Sequence, residues 1–296
     1  MESNFRKILT LIDHTEASLH AAEEAALIAS KFDAELQLLH ISPYESSKSL
    51  ITSGFLFFNV PVKEEEEYYL KIENLERLKK KLEKRFGILI TCFENRGDFI
   101  EVIKSHVKDF SVDLTVLGTK KRSWLKEIFI ENKVNSVIGA LSCDILCVSS
   151  GSQTETLKKI VVPVGKSIPR KEIGIAYEFA KKFAGRIYLI ALNASEKKSS
   201  DQSTKALIAS YRYLKDLTNI PIECCSVNGT SLASAAIHYA QIVDADLILI
   251  NEGSESYFQK PLWNGNIVNH SSVPVLSVHY MNHQERDKYP DMKAVR

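Results

Sequence analysis

The chain has no surplus of charge of either sign. Its 38 Lys and Arg stand against 37 Asp and Glu, a formal net charge of +1 over 296 residues. No strong field draws it to nucleic acid or to an anionic membrane surface. It has no apolar run of the roughly 18–20 residues that a membrane-spanning helix needs. Its start, MESNFRKILTLID, has neither the apolar core nor the cleavage site of a signal peptide. No nucleic-acid partner, no membrane insertion and a cytoplasmic location are therefore expected. None of the five cysteines forms a CxxC pair. Cys92, Cys143, Cys147, Cys224 and Cys225 lie in or beside apolar, strand-like runs, so they are expected as small hydrophobes of a reduced core. Gly-x-Ser-x-Gly and His-Glu-x-x-His are missing, and the eight histidines are scattered. Without a hydrolase elbow or a zinc helix, no catalytic or metal constellation can be named. The expectation is a protein that is not an enzyme.

What is present is a plan used twice. The composition, 45% hydrophobic and 25% charged, is that of a globular protein, and the length suits two domains. FRKILTLIDHTEASLHAAEEAALIASKFDAELQLLHI from Phe5 and LKKIVVPVGKSIPRKEIGIAYEFAKKFAGRIYLIAL from Leu157 follow the same order. Each opens with an apolar run, Ile8–Ile12 or Ile160–Val164, of the kind that suits a strand buried on both faces. A polar turn and an amphipathic helix follow, then a second run, Leu36–Ile41 or Ile187–Leu192. The next blocks, FENRGDFIEVIKSHVKDFSVDLTVLG and CSVNGTSLASAAIHYAQIVDADLILIN, both read as strand, Gly turn, helix, Asp, strand. Strands alternating with helices imply a mostly parallel sheet covered on both faces. The expected domains are residues 1–149 and 157–281, with a polar linker at 150–156 and a polar tail at 282–296. Long helices are expected over Glu64–Phe86 and Thr204–Thr218. The segment Phe55–Phe58 is unusually apolar for a loop. It is expected to pack at the junction of the repeats or to meet a partner.

The blocks KILTLIDHTEAS, GDFIEVI and DLTVLGT…NSVIGALSCDILCV, with KIVVPVG, DADLILI and VNHSSVPVLSV in the second half, resemble the universal stress protein family. The resemblance implies two tandem flavodoxin-like α/β domains, each a five-stranded, mostly parallel sheet with helices on both faces. In nucleotide-binding members an Asp ends the first strand and a Gly ends the fourth. A Gly-x2-Gly-x9-Gly-Ser/Thr loop then cradles the phosphates, its glycines letting backbone N–H groups approach closely. Carried across, Asp13 matches the Asp and Gly118 the first Gly, followed by Thr119. Lys121 and Glu131 replace the next two glycines, and Asn132 replaces the Ser/Thr. In the second half Gly165, Asn251 and Ser254 stand where the Asp and first two glycines belong. Asp13, Gly118, Thr119 and Asn132 are thus expected as the remnant of a nucleotide site, with Lys121 and Glu131 blocking it. Asp13 also suits the N-terminal cap of the following helix.

The expected function is a non-enzymatic stress-response or regulatory protein. It would act by binding an unidentified protein partner, ligand or second copy of the chain, with no cofactor. The alternatives are a protein that binds ATP or another anionic ligand through a reduced motif in the first domain, and a weak nucleotide hydrolase.

Overall fold

The structure, a computed structural model, describes residues 5–42, 62–119, 140–149, 156–193, 197–229, 231–251 and 271–279, with backbone only at 62–69, 197–201 and 251. Packing divides the chain into two compact units, Met1–Lys121 with Cys147–Gly151, and Arg122–Leu146 with Ser152–Arg296. The apolar segment Phe55–Phe58 and the tail lie outside the described residues.

Unit 1 runs β1 (Lys7–Leu11), α1 (Glu16–Phe32), β2 (Glu35–Ser42), α2 (Val62–Phe86), β3 (Ile90–Arg96), α3 (Phe99–Phe110), β4 (Leu114–Thr119) and β5 (Asp144–Ser149), the division between units passing through β5. The strand order is β3-β2-β1-β4-β5. β1 pairs in parallel with β2 and β4, and β2 with β3. The apolar runs become central strands because both faces are covered. Cys92 meets α2 carboxylates while the adjacent Phe93 packs against His106 and Phe110 of α3, so helices lie on both sides of β3. α1 turns Ala21, Ala22, Ala25, Ala26 and Ala29 fully inward. That stripe of small side chains lets the helix sit close to the sheet. The helix ends where Asp33 takes the left-handed conformation (φ 57°) and its N–H reaches Ala29 O.

Unit 2 runs β6 (Lys159–Val164), α4 (Arg170–Phe183), β7 (Arg186–Leu192), α5 (Lys197–Leu217), β8 (Ile222–Val227), α6 (Leu232–Ile242), β9 (Leu247–Asn251) and β10 (Val275–Val278). Its order, β8-β7-β6-β9-β10, is the order of unit 1, with β6 parallel to β7 and β9 and β7 parallel to β8 as in unit 1, and β10 parallel to β9. α5 begins seven residues before the expected Thr204, because its first turns carry no apolar stripe that would betray a helix. Among the cysteines, none of them in a disulfide, Cys143 and Cys147 are buried as expected, and Cys92 and Cys225 are half-buried. Cys224 is exposed, which corrects its assignment to the core. It lies on β8, the outermost strand of this unit's order, none of whose residues is fully buried.

One clasp appears in both units. Asp113, just before β4, accepts from the backbone N–H groups of Arg6 (2.8 Å) and Lys7 (2.9 Å). Asp246, just before β9, accepts from Lys158 and Lys159, each at 2.8 Å. The lysine side chains return the contact, Lys7 Nζ to Phe110 O and Lys159 Nζ to Val243 O. Each Asp thus ties the start of one central strand to the start of its neighbour. Asp113→Ala and Asp246→Ala are each expected to destabilise their unit by about 1.5–3 kcal/mol, the range for hydrogen bonds to a charged group. Urea unfolding measures it. A loss below about 0.5 kcal/mol would mean that water replaces the carboxylate without cost.

Candidate functional site

In a doubly wound sheet the crevice opens at the carboxyl ends of the strands, where the order reverses. In unit 1 the reversal lies between β1 and β4. β1 delivers Asp13 to this crevice, and β4 ends in Gly118 and Thr119. Both strand ends meet the first turn of α1: the Asp13 N–H donates to Ser18 Oγ (3.3 Å), and Gly118 lies against Ala17 O and Ser18 N. The structure therefore brings Asp13, Gly118 and Thr119 together. Lys121, Glu131 and Asn132 lie outside the described residues.

Asp13 does not cap α1 itself. The cap is Thr15, whose hydroxyl accepts from Ser18 N. Asp13 holds that cap: its Oδ1 accepts from Thr15 N (3.0 Å) and Thr15 Oγ1 (2.7 Å). The cap moves two residues along because His14 takes the left-handed conformation, φ 65°, and delays the helix. Asp13 Oδ2 stays buried without a hydrogen-bond partner. Thr119 Oγ1 is occupied by Val148 O of β5 (3.2 Å). Gly118 has a steric duty. A Cβ there would come 2.2 Å from Ala17 O, closer than any real contact, so only glycine lets α1 lie against β4.

Two residues that no sequence motif singles out complete the mouth. The left-handed turn carries the His14 ring to 5.4 Å from the ring of His40, at the carboxyl end of β2. His40 is buried, and its Nδ1 lies 2.7 Å from Ile12 O, so this nitrogen carries the proton and donates. His14 Nε2 is buried without a partner. Burial above all pulls the His14 pKa below the usual imidazole value; His40 and Lys71 of α2 add to this, and Asp13 opposes it. Glu94 on β3 is the register partner of His40 and shares its face, and its Oε1 is also buried and unpartnered. The signal that finds His14 and His40 is position: both stand at the carboxyl ends of strands beside the reversal point.

The corresponding place in unit 2 is differently furnished. β6 leads into Gly165 and Lys166, and α4 starts after Pro169 with no side-chain cap. Among the described residues, no group of three or more His, Cys, Asp or Glu could hold a metal ion, and no helix is long and apolar enough to cross a membrane.

Residues 4–149 match the universal stress protein family. The chain is 27% identical over 146 residues to universal stress protein YxiE of Bacillus subtilis, an alignment that takes in 49% of this chain and 99% of that protein. It is 29% identical over 157 residues to universal stress protein MJ0531 of Methanocaldococcus jannaschii, covering 50% and 84%. The crystal structure of a universal stress protein from Archaeoglobus fulgidus superposes with a TM-score of 0.71 over 94% of this chain and 99% of that one; at 15% identity the likeness is one of fold. The α/β fold is that of universal stress proteins, and it is residues 4–149 that match the model of that family.

Proposed function

We propose that this is a non-enzymatic, cytoplasmic stress-response or regulatory protein that acts by binding, built as two universal stress protein-like domains in tandem, in which tight ATP binding has been lost. One observation carries the reading. The retained motif residues both have structural duties: Asp13 holds the cap of α1, and Gly118 admits α1 to the sheet. Their presence therefore needs no nucleotide to explain it. Positions 121 and 131, where the resemblance expects glycines of the phosphate loop, have Lys and Glu instead.

In isothermal calorimetry, ATP with Mg²⁺ is expected to bind no more tightly than about millimolar, a free energy near −4 kcal/mol. Micromolar binding by the natural chain would overturn the reading, and ADP release would favour a weak hydrolase. A second reading, a small ligand on the base side of the unit 1 crevice, draws on the unpartnered Asp13 Oδ2 and His14 Nε2. A thermal-shift screen of nucleosides and metabolites tests it. A shift lost in Asp13→Ala supports it.

A further inference from the structure

The turn Asp13–Thr15 is held by few bonds and carries a group able to break them. His14 is a non-glycine residue at φ 65°, a conformation that costs about 1–2 kcal/mol. Two bonds from Asp13 Oδ1 to Thr15, and one from the Asp13 N–H to Ser18 Oγ, keep it there. A protonated His14 ring carries a donor at Nε2, which is buried here with no acceptor within hydrogen-bond distance. It also adds a positive charge facing the His40 ring on β2 and Lys71 on α2. Among the described residues, β4 brings the uncharged Gly118 and Thr119 to this end. Of the carboxylates, Glu94 on β3 stands beside His40 in register, and Asp13 lies on the same turn as His14. Asp13 Oδ2, on the same turn, has no hydrogen-bond partner and is able to accept a bond. Neither that oxygen nor His14 Nε2 has a partner in this structure, so a bond between them requires the ring or the carboxylate to rotate within a turn held only by the bonds above.

We propose that His14 is an acid-sensitive latch: its protonation releases the Asp13–Thr15 turn and frays the first turn of α1 at the mouth of the unit 1 crevice. The latch goes beyond the binding function proposed above and does not depend on it, since it acts whether or not the crevice holds a ligand. The lowered pKa of His14 agrees in sign. The unfolded turn takes the proton first. Closure is therefore complete above about pH 6.5 and is lost as the pH falls toward the value in the closed state. Any ligand touching Asp13 would inherit this dependence.

Hydrogen exchange on the full chain at pH 7.5 and 5.5, corrected for intrinsic rates, tests the latch. The amides of Thr15, Ser18 and Leu19, whose bonds all belong to this turn, are expected to lose about tenfold protection for each unit by which the His14 pKa is lowered. The Leu38 amide in the core of β2 reports global opening and corrects for His106. Burial lowers the pKa of His106 too, so it also costs stability in acid. In His14→Asn, which keeps a residue tolerant of the left-handed turn but cannot titrate, the local loss is expected to vanish. Acid deprotection that persists in this variant overturns the proposal. So does an NMR titration of the natural chain that places His14 at or above about 6.5.

Discussion

Gly118→Ala is expected to destabilise unit 1 by about 3 kcal/mol, the upper part of the range for overpacking a close-packed site. The added Cβ would lie 2.2 Å from Ala17 O and 2.9 Å from Ser18 N. These are backbone atoms in the first turn of α1 and cannot swing aside like the end of a side chain. To accept the methyl, the helix must ride up off β4 and pull its buried alanines away from the sheet. Gly185→Ala is expected to act similarly in unit 2, where the Cβ would meet Lys158 O at 2.3 Å. Gly174, inside α4, gives the opposite sign, because a methyl there would meet nothing within 4 Å. Gly174→Ala should stabilise by about 0.5–1 kcal/mol through helix propensity. Guanidinium unfolding of the three variants reads all of this. A loss below about 1 kcal/mol in Gly118→Ala would show that α1 is not clamped. Gly118 would then need another explanation, and a ligand would be the natural one.

The second large effect is a gain. Lys121→Gly, Glu131→Gly and Asn132→Ser, made together, are expected to raise ATP affinity about a thousandfold, from millimolar toward micromolar. Two like charges about 4 Å apart at an effective dielectric near 20 repel by roughly 4 kcal/mol, and that energy corresponds to about three decades in Kd. If positions 121 and 131 serve as the proposed resemblance implies, the variant removes this repulsion from the phosphate and restores the glycines that let backbone N–H groups approach. Asp13 and Gly118 already stand together at the strand ends, against the first turn of α1. Calorimetry with the triple variant decides it. If affinity does not rise, Glu131 and the replaced glycines are not what limits binding, and the occupied Asp13 Oδ1 or the two histidines become the cause to test.

Much of the fold is legible in the sequence, because buried parallel strands leave continuous apolar runs. KILTL, IVVPV and LILI have few other readings when amphipathic helices separate them. The outer parts are harder. The first turns of α5, KKSSDQS, are polar throughout and carry no period. Cys224 resembles a core residue by its neighbours, and only the strand order places it on the outermost strand. The site is legible at Asp13 and Gly118 through their motif positions, but their duties are not. Asp13 looks like a cap and instead holds one, because His14 takes a positive φ that no local rule assigns to histidine. The meeting of His14 with His40 depends on which strands become neighbours, a property of the whole chain.

The Asp113 clasp has a consequence for synthesis. β1 lies between β2 and β4, yet Asp113 follows Lys7 by 106 residues. At about 5–20 residues per second a ribosome needs on the order of ten seconds to cover that distance. For this interval β1 and β2 can pair, but one side of β1 keeps its N–H and C=O groups open. A nascent chain with an open apolar strand is a substrate for chaperones and a template for mispairing. The arrival of Asp113 and β4 ends that exposure. The carboxylate that fastens the finished unit therefore also sets the earliest moment at which the emerging polypeptide is safe from its neighbours.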